Sequence, residues 1–299
     1  MAKSQGRPSR PVQQRTVGEP PPVVSGRWIL MAFLITVGAA LVCVYATLCL
    51  LFYQGQWQIL FHPSRNVTAT PASAGLPFDE IHFDVTETGR PQLDGWWIPA
   101  APGARYATDT VLYLHDGRGS LSDTVAAVAE LHGLGINVFA FDYRGFGKSA
   151  GRHPTERMGR ADALAAWTYL TDMRHIPGSR IVVFGDGTGA TFAATLGLQF
   201  APAGVVIRDA SRPARAVFHQ DARARLLPLW LLQNEWLDPT EDLQRLHVPR
   251  LFLARHGDAA RTRELFEKSS EPKSYFDLRQ ASPATIQETL RRFLDELVR

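Results

Sequence analysis

A glycine-rich turn follows a short apolar run in residues 181–190, which read IVVFGDGTGA. The β-branched run predicts a buried strand, and the glycines predict a tight turn into a helix. Where such a turn has the pattern Gly-x-Ser-x-Gly, the central serine is a nucleophile held on a strained backbone. Here the central residue is Gly187, which has no reactive side chain. The segment therefore predicts the backbone of a nucleophile site without the nucleophile.

Four segments together resemble the α/β-hydrolase superfamily, and most closely its membrane-anchored group of depalmitoylase-like proteins and their bacterial relatives. They are YLHDGRGSLSD (113–123), NVFAFDYRGFGKSAGRHPTE (137–156), IPGSRIVVFGDGTGA (176–190) and PRLFLARHGDAARTRELF (249–266). The resemblance covers roughly residues 50 to 299, and residues 142–149 are its most distinctive element. It implies acyl-transfer chemistry by a serine, a histidine and an acid, with two backbone N–H groups that hold the oxyanion.

The positions that match this triad lack its side chains, so the resemblance implies a degenerate site. Gly187 stands at the nucleophile position and Ala260 at the position matched to the acid. The histidine is expected near Ser282, which we interpret as a helix N-cap, yet no histidine occurs in residues 257–299. Loss of the serine or the histidine of a triad lowers turnover by about a million-fold.

Three residues are weak candidates for a replacement site. Thr188 is one residue from the turn apex, His115 ends a predicted strand beside the expected pocket, and Asp258 lies near the acid position. For Thr188 the alternative is a hydroxyl that bonds locally at a helix N-terminus. For His115 the alternative is a structural hydrogen bond between loops.

The expected oxyanion loop also departs from the family pattern. His-Gly-x-x-Gly is replaced by a sequence containing His115, Asp116 and Gly117, and these residues with Thr188 form the predicted oxyanion loop and pocket. A carboxylate beside this loop opposes a developing negative charge. Asp142, Arg144 and Lys148 are expected to make structural hydrogen bonds rather than to act in catalysis.

Several classes of ligand are not indicated. The net charge is +3 and the basic residues are scattered, so no nucleic-acid surface is expected. The histidine and acidic residues show no metal-ligand spacing, and the glycines do not form a phosphate-binding loop. We therefore expect neither a metal nor a cofactor. A small acyl-type ligand or a protein partner fits the remaining pocket.

The N-terminal part predicts a membrane anchor at residues 28–53, which contain no charged side chain. As a helix this stretch is roughly 39 Å long at about 1.5 Å per residue, longer than the roughly 30 Å hydrocarbon layer. A cleaved signal peptide is the alternative, but its apolar region is shorter. Four arginines precede the span and only Arg65 follows closely, so we expect a cytoplasmic N-terminus and an extracytoplasmic domain.

Alternating apolar runs and helical patterns predict an α/β-hydrolase fold, a mostly parallel twisted sheet with helices on both faces. The predicted strands are Glu80–Thr86, Leu93–Ile98, Thr110–Leu114, Asn137–Phe141, Arg180–Phe184, Gly204–Ile207, Arg250–Ala254 and Ser274–Leu278. The predicted organisation is a disordered basic tail (1–26), a transmembrane helix (28–53), a connector (54–78) and the hydrolase-like domain (79–299).

Residues 210–238, here called the lid segment, lie where relatives place a lid or substrate-facing insert. Its Leu229, Trp230 and Leu231 have two interpretations, core packing or contact with an acyl pocket or the membrane surface. The sequence favours a membrane-anchored, catalytically inactive hydrolase-like protein that binds a ligand or partner. The alternative is an ester or thioester hydrolase with non-standard catalytic residues.

Overall fold

The computed structural model describes residues 25–85, 89–222, 224–256 and 259–297. Asp258 and residues 1–24 of the predicted tail lie outside this part of the chain. The chain divides into two compact units, one up to Leu48 and one from Cys49 onward. The first unit contains most of helix α1 (Gly26–Gly55), and the second contains the sheet and the site.

Eight strands form one mixed sheet in the spatial order β1-β2-β4-β3-β5-β6-β7-β8. Only the pairings of β2 with β1 and β4 are antiparallel, and the others are parallel. Parallel strands covered on both faces require continuous apolar runs, which explains why these segments were recognisable. The strands are β1 Asp79–Val85, β2 Pro91–Ile98, β3 Tyr106–Leu114, β4 Ile136–Asp142, β5 Ile181–Asp186, β6 Gly204–Arg208, β7 Arg250–Ala254 and β8 Lys273–Asp277.

Helices cover both faces of this sheet, as the α/β-hydrolase prediction required. Successive residues of β3 point to opposite faces, so Leu112 and Tyr113 belong to two different core layers. Helices α4, α5, α8 and α9 pack on one layer, and α3 and α10 pack on the other. The helices are α2 Trp57–Leu60, α3 Val125–His132, α4 Glu156–Thr168, α5 Gly189–Phe200, α6 Ala214–Gln220, α7 Leu229–Leu232, α8 Thr240–Arg245, α9 Ala259–Lys268 and α10 Pro283–Leu297.

Three predicted boundaries were wrong. Strand β3 begins at Tyr106 rather than Thr110, because Tyr106 pairs with Ile136 across a register shift. The sequence pattern predicts one helix over residues 154–173, but α4 begins at Glu156, is α-helical only to Thr168 and continues as a π-helical turn. The sequence of residues 238–241 predicts a helix with Pro239 at its first position, but α8 begins at Thr240 and Pro239 precedes it.

The predicted connector is partly helical and packs against the domain. It contains α2 and a short 3-10 turn at Pro71–Ala74, and both Gln56 and Phe61 are buried. Residues His62–Pro63 form a two-residue parallel pairing with Arg118–Gly119, the loop that follows β3. This pairing fixes the position of the predicted oxyanion loop.

A carboxylate clamp attaches the lid segment to α4. One oxygen of Glu156 accepts the backbone N–H groups of Trp236 (2.6 Å) and Leu237 (2.9 Å). In return Glu235 accepts the backbone N–H of Glu156 at 2.6 Å. Burial raises the pKa of Glu235 to about 7. The clamp therefore holds the C-terminal end of the lid segment beside the start of α4.

Candidate active site

The turn between β5 and α5 adopts the strained conformation that a nucleophile site requires. Gly187 has φ +55°, in the left-handed region that side chains rarely enter. Gly189 packs so closely that an added Cβ atom would lie 2.1 Å from the carbonyl oxygen of Leu114. The glycine spacing thus explains how α5 approaches the end of β3.

The side chain of Asp116 fills the place where an oxyanion is expected. Its Oδ1 atom accepts the backbone N–H of Gly117 at 2.8 Å and that of Thr188 at 2.9 Å. One donor belongs to the loop after β3, and the other follows the turn apex at Gly187. These are the two donor positions that hold the oxyanion in acyl-transfer sites. Their location at the N-terminus of α5 further stabilises an anion.

The same carboxylate occupies the space beside Gly187. A Cβ atom built on Gly187 would lie 2.3 Å from Oδ1 and 2.4 Å from Cγ of Asp116. Such distances are far below van der Waals contact, so no side chain fits at position 187 while Asp116 keeps this conformation. The sequence predicts an unfavourable carboxylate near the loop, and the structure places that carboxylate on the two donors themselves.

Two hydroxyl groups complete this cluster. Thr188 Oγ1 donates to Ser211 Oγ at 3.3 Å, and Ser211 Oγ donates to Asp116 Oδ1 at 3.4 Å. The interpretation that the Thr188 hydroxyl bonds locally was therefore wrong, because its partner lies in the lid segment. Among the described residues no histidine ring is hydrogen-bonded to either hydroxyl.

His115 is buried and engaged away from these hydroxyls. Its Nδ1 lies 2.6 Å from the carbonyl oxygen of Asp116, and its Nε2 has no hydrogen-bond partner and lies 3.7 Å from Asp142 Oδ1. Burial lowers the pKa of His115 to about 4 and raises that of Asp142 to about 7. Both shifts favour the uncharged forms of this pair, as expected for groups removed from water. His115 is neutral and structural here.

Asp142 and its neighbours make the structural contacts that the sequence predicted. Asp142 accepts the backbone N–H of Leu121 at 2.9 Å, which ties β4 to the loop after β3. Arg144 bonds the buried Asp162 at 2.5 Å, and Lys148 pairs with the exposed Glu80 at 2.9 Å.

A cavity of about 810 Å³ opens above the site. Its wall includes a buried network in which Arg208 donates to Asp186 (2.5 Å) and to the hydroxyl of Tyr113 (3.1 Å). Burial alone raises the pKa of Asp186, but Arg208 and Tyr113 outweigh it and lower that pKa. Asp186 is thus a partner of Arg208 and not an exposed carboxylate. Arg255 and His256, from the end of β7, also line the cavity.

Comparison with known proteins places this arrangement in a family. The profile described as "Serine aminopeptidase, S33" matches residues 107–233. The uncharacterized protein Rv2307c of Mycobacterium tuberculosis is 30% identical over 271 residues, which cover 86% of this chain and 94% of that protein. The chain belongs to the α/β-hydrolase superfamily.

Two further matches fit this assignment. The α/β-hydrolase domain-containing protein WAV2 of Arabidopsis thaliana is 32% identical over 134 residues, which span 44% of this chain and 42% of WAV2. The Pyrococcus furiosus esterase Pf2001 superimposes with a TM-score of 0.61 at 20% identity and covers 79% of this chain and 98% of its own. At this identity the esterase supports the fold alone.

The other two positions that the superfamily resemblance matched to the triad supply no reactive side chain at the turn between β5 and α5. Ala260 lies in the first turn of α9 and has no polar side-chain atom. Ser282 precedes α10, and its Oγ accepts the backbone N–H of Thr285 at 3.2 Å, which is the geometry of an N-cap. Within the described ranges no cluster of three or more metal-ligating side chains occurs.

Sequence reasoning missed Ser211 and Arg208. Ser211 lies in a segment without a recognisable period, and its approach to Thr188 depends on the path of the lid segment. Arg208 ends a buried strand, where a charged residue implies a paired partner. That signal was present in the sequence and could have directed attention to Asp186.

Proposed function

We propose that this protein is a membrane-anchored α/β-hydrolase-fold protein that has lost serine-hydrolase activity and binds a small acyl-type ligand or a protein partner through its cleft. The observation that carries the proposal is the Asp116 carboxylate, which accepts both backbone donors of the oxyanion site. A substrate carbonyl oxygen needs those donors at the moment when its negative charge develops. Here they already hold an anion of the chain itself.

The energetics support inactivity independently of Asp116. A triad that lacks its serine or its histidine loses about a million-fold in turnover, which corresponds to roughly 8 kcal/mol of barrier. This chain has glycine at the nucleophile position and no histidine after residue 256. Restoring one side chain therefore leaves the other deficit in place.

The anchor rests on helix α1, whose 30 residues form the one described helix that is long and apolar enough to cross a membrane. Its mean hydropathy over the best window is 2.5, and none of that window is buried. A signal sequence has the same general character. We favour the anchor because the helix continues directly into residues that pack in the domain, such as Phe52. Three arginines before the helix and Arg27 in its first turn favour a cytoplasmic N-terminus and an extracytoplasmic domain.

A fluorophosphonate probe on the full chain in membranes tests the loss of hydrolysis. We expect no labelled hydroxyl in the wild type, in Asp116→Gly or in Asp116→Gly/Gly187→Ser. An active α/β-hydrolase in the same preparation is the positive control. Labelling of Thr188 or Ser211 in the wild type would instead support the alternative, an ester or thioester hydrolase with non-standard residues. Strong labelling of the double variant at position 187 would reveal a base that the site is proposed to lack.

Alkaline carbonate extraction and protease protection test the anchor. We expect the chain to remain in the membrane pellet. In inside-out vesicles of the source membrane, whose cytoplasmic face is exposed to protease, a C-terminal tag should be protected. Release by carbonate contradicts the anchor, and cleavage of the tag from the cytoplasmic side contradicts the orientation.

A further inference from the structure

The lid segment has large apolar side chains that are mostly exposed. Trp230 is 86% exposed, Leu226 84% and Leu231 64%. A group of large apolar side chains exposed together marks a contact surface, whereas single exposed apolar residues are common on any protein. Leu229 and Leu232 on the same short helix α7 pack partly against the core, so α7 is anchored while its outer side chains face away.

The lid segment lies beside the end of the apolar helix. The ring of Phe52, near the end of α1, packs edge-on against Phe218 of α6 at 5.3 Å. One residue after α1, the buried side chain of Gln56 donates to the carbonyl oxygen of Leu232 at 2.6 Å and accepts the backbone N–H of Asn234 at 3.1 Å. The point where the helix ends is therefore hydrogen-bonded to the segment that carries the exposed residues.

The apolar exterior of α1 continues to this point. Leu50 and Leu51 are more than half exposed, and Tyr53 is nearly half exposed. All three belong to the same compact unit as the lid segment. Trp230 is two residues from Leu232, so its Cα atom lies within about 7 Å of that residue's Cα atom. The exposed lid side chains are thus close to the place where an anchored helix leaves the hydrocarbon layer.

The amino-terminal half of the lid segment is basic. Residues 212–225 contain four arginines against one aspartate, whereas Glu235 and Asp238 lower the net charge of the whole segment to +1. Tryptophan favours the membrane–water interface, and adjacent arginines add electrostatic attraction to anionic headgroups. Both features match a bilayer surface better than a second copy of the chain, whose own arginines would repel.

We propose that Trp230, Leu231 and Leu226 insert into the headgroup region of the bilayer, so that the lid segment docks on the membrane beside the anchor. This docking rests on the proposed anchor. It places one wall of the cleft at the lipid surface, because Ser211 and Arg212 line the cavity and belong to the same segment. A lipid acyl chain is then the nearest source for the proposed acyl-type ligand.

Depth-dependent fluorescence quenching of the full chain tests the docking. In a Cys43→Ala/Cys49→Ala background, Leu231→Cys is labelled with NBD and reconstituted in phosphatidylcholine–phosphatidylglycerol vesicles containing lipids doxyl-labelled near the headgroup. The matched control is Met173→Cys, 71% exposed but located before β5, at the amino end of the strands and opposite the site. Quencher in both leaflets makes the result independent of insertion direction.

We expect strong quenching of the label at position 231, little at position 173, and loss of quenching at 231 when Trp230→Glu is added. Because Trp230 is exposed, this substitution should leave folding intact, which the melting temperature checks. Quenching at 231 equal to that at 173 overturns the docking, as does an unquenched but blue-shifted label, which indicates protein contact. Carbonate extraction of the same samples separates the failures: a retained but unquenched chain overturns only the docking, whereas a released chain overturns the anchor.

Discussion

Asp116 and Gly187 depend on each other, and a double-mutant cycle measures this dependence. The perturbation is Gly187→Ser, which adds a Cβ atom 2.3 Å from Asp116 Oδ1 on a residue with φ +55°. The left-handed conformation itself costs a non-glycine residue about 1–2 kcal/mol. The Asp116 side chain must also leave its place, because its Oδ1, Cγ and Cβ atoms all lie within 2.8 Å of the added Cβ atom.

Displacement of Asp116 removes its bonds from the N–H groups of Gly117 and Thr188. Hydrogen bonds to a charged group contribute about 1.5–3 kcal/mol each, and the lower end applies because this side chain is about a third exposed and water replaces part of the loss. With about 1.5 kcal/mol for each of the two bonds and about 1–2 kcal/mol for the backbone conformation, the expected total for Gly187→Ser is about 4–5 kcal/mol. At about 2–4 °C per kcal/mol for a domain of this size, the melting temperature should fall by roughly 8–20 °C.

We expect Asp116→Gly to relieve most of this penalty. In that background the clash and the two hydrogen bonds are already absent, so Gly187→Ser costs only about 1–2 kcal/mol for its backbone conformation. Asp116→Asn is the matched control, because it keeps the size of the side chain and therefore most of the clash. Thermal unfolding of wild type, Gly187→Ser, Asp116→Gly and the double variant in mild detergent, followed by tryptophan fluorescence, gives the coupling free energy between the two positions. If Gly187→Ser destabilises the wild type and Asp116→Gly by amounts that agree within about 0.5 kcal/mol, the proposed clash between the serine and the Asp116 carboxylate is refuted.

Three further predictions concern charged groups around the site. Burial raises the pKa of Asp142 to about 7, so the contribution of Asp142 to stability is present below its unfolded pKa and is lost as the pH rises towards 7. Over that interval the wild type should lose stability relative to Asp142→Asn by at most about 1.4 kcal/mol per pH unit. A difference in the free energy of urea unfolding that stays constant with pH contradicts the shift. Glu156→Ala should expose the lid segment to trypsin at lower protease concentration than wild type, with Glu156→Gln intermediate, whereas unchanged cleavage contradicts the clamp. Arg208→Met should destabilise the domain by about 3–5 kcal/mol because Asp186 is left as an unpaired buried charge, and Asp186→Asn in that background should recover part of the loss; additive effects contradict the pairing.

The sheet could be predicted because its strands are buried on both faces. Runs such as 181–185 and 204–207 are apolar without interruption before each strand ends in a charged residue, and their order along the chain follows the resemblance to one superfamily. Boundaries were less predictable where pairing decides them. Tyr106 joins β3 only because Ile136 lies opposite, and its hydroxyl is held by Asp295 from α10, far along the chain.

The glycine at position 187 and the lack of histidine in residues 257–299 are evident from residue types alone, but the conformation of Asp116 is not. Its carboxylate meets Thr188 across 72 positions of sequence, so the contact depends on how the loop after β3 is fixed by its pairing with His62 and Pro63. No local pattern encodes that distance. The hydroxyl contact between Thr188 and Ser211 was missed for the same reason, since it depends on the path of the lid segment.

Because Asp116 accepts the N–H groups of Gly117 and Thr188, introducing serine-hydrolase activity at this turn requires coordinated changes. A serine at position 187 cannot coexist with Asp116 in its present conformation, because both would occupy the same volume. Removing Asp116 opens the two N–H donors but supplies no nucleophile. Even both changes leave residues 257–299, where the superfamily resemblance places the catalytic histidine, without one, and His115 is buried and bonded to the backbone beside Asp142. The Asp116 carboxylate occupies the space that Gly187 leaves open, which is why the glycine and the aspartate are best understood as one structural unit.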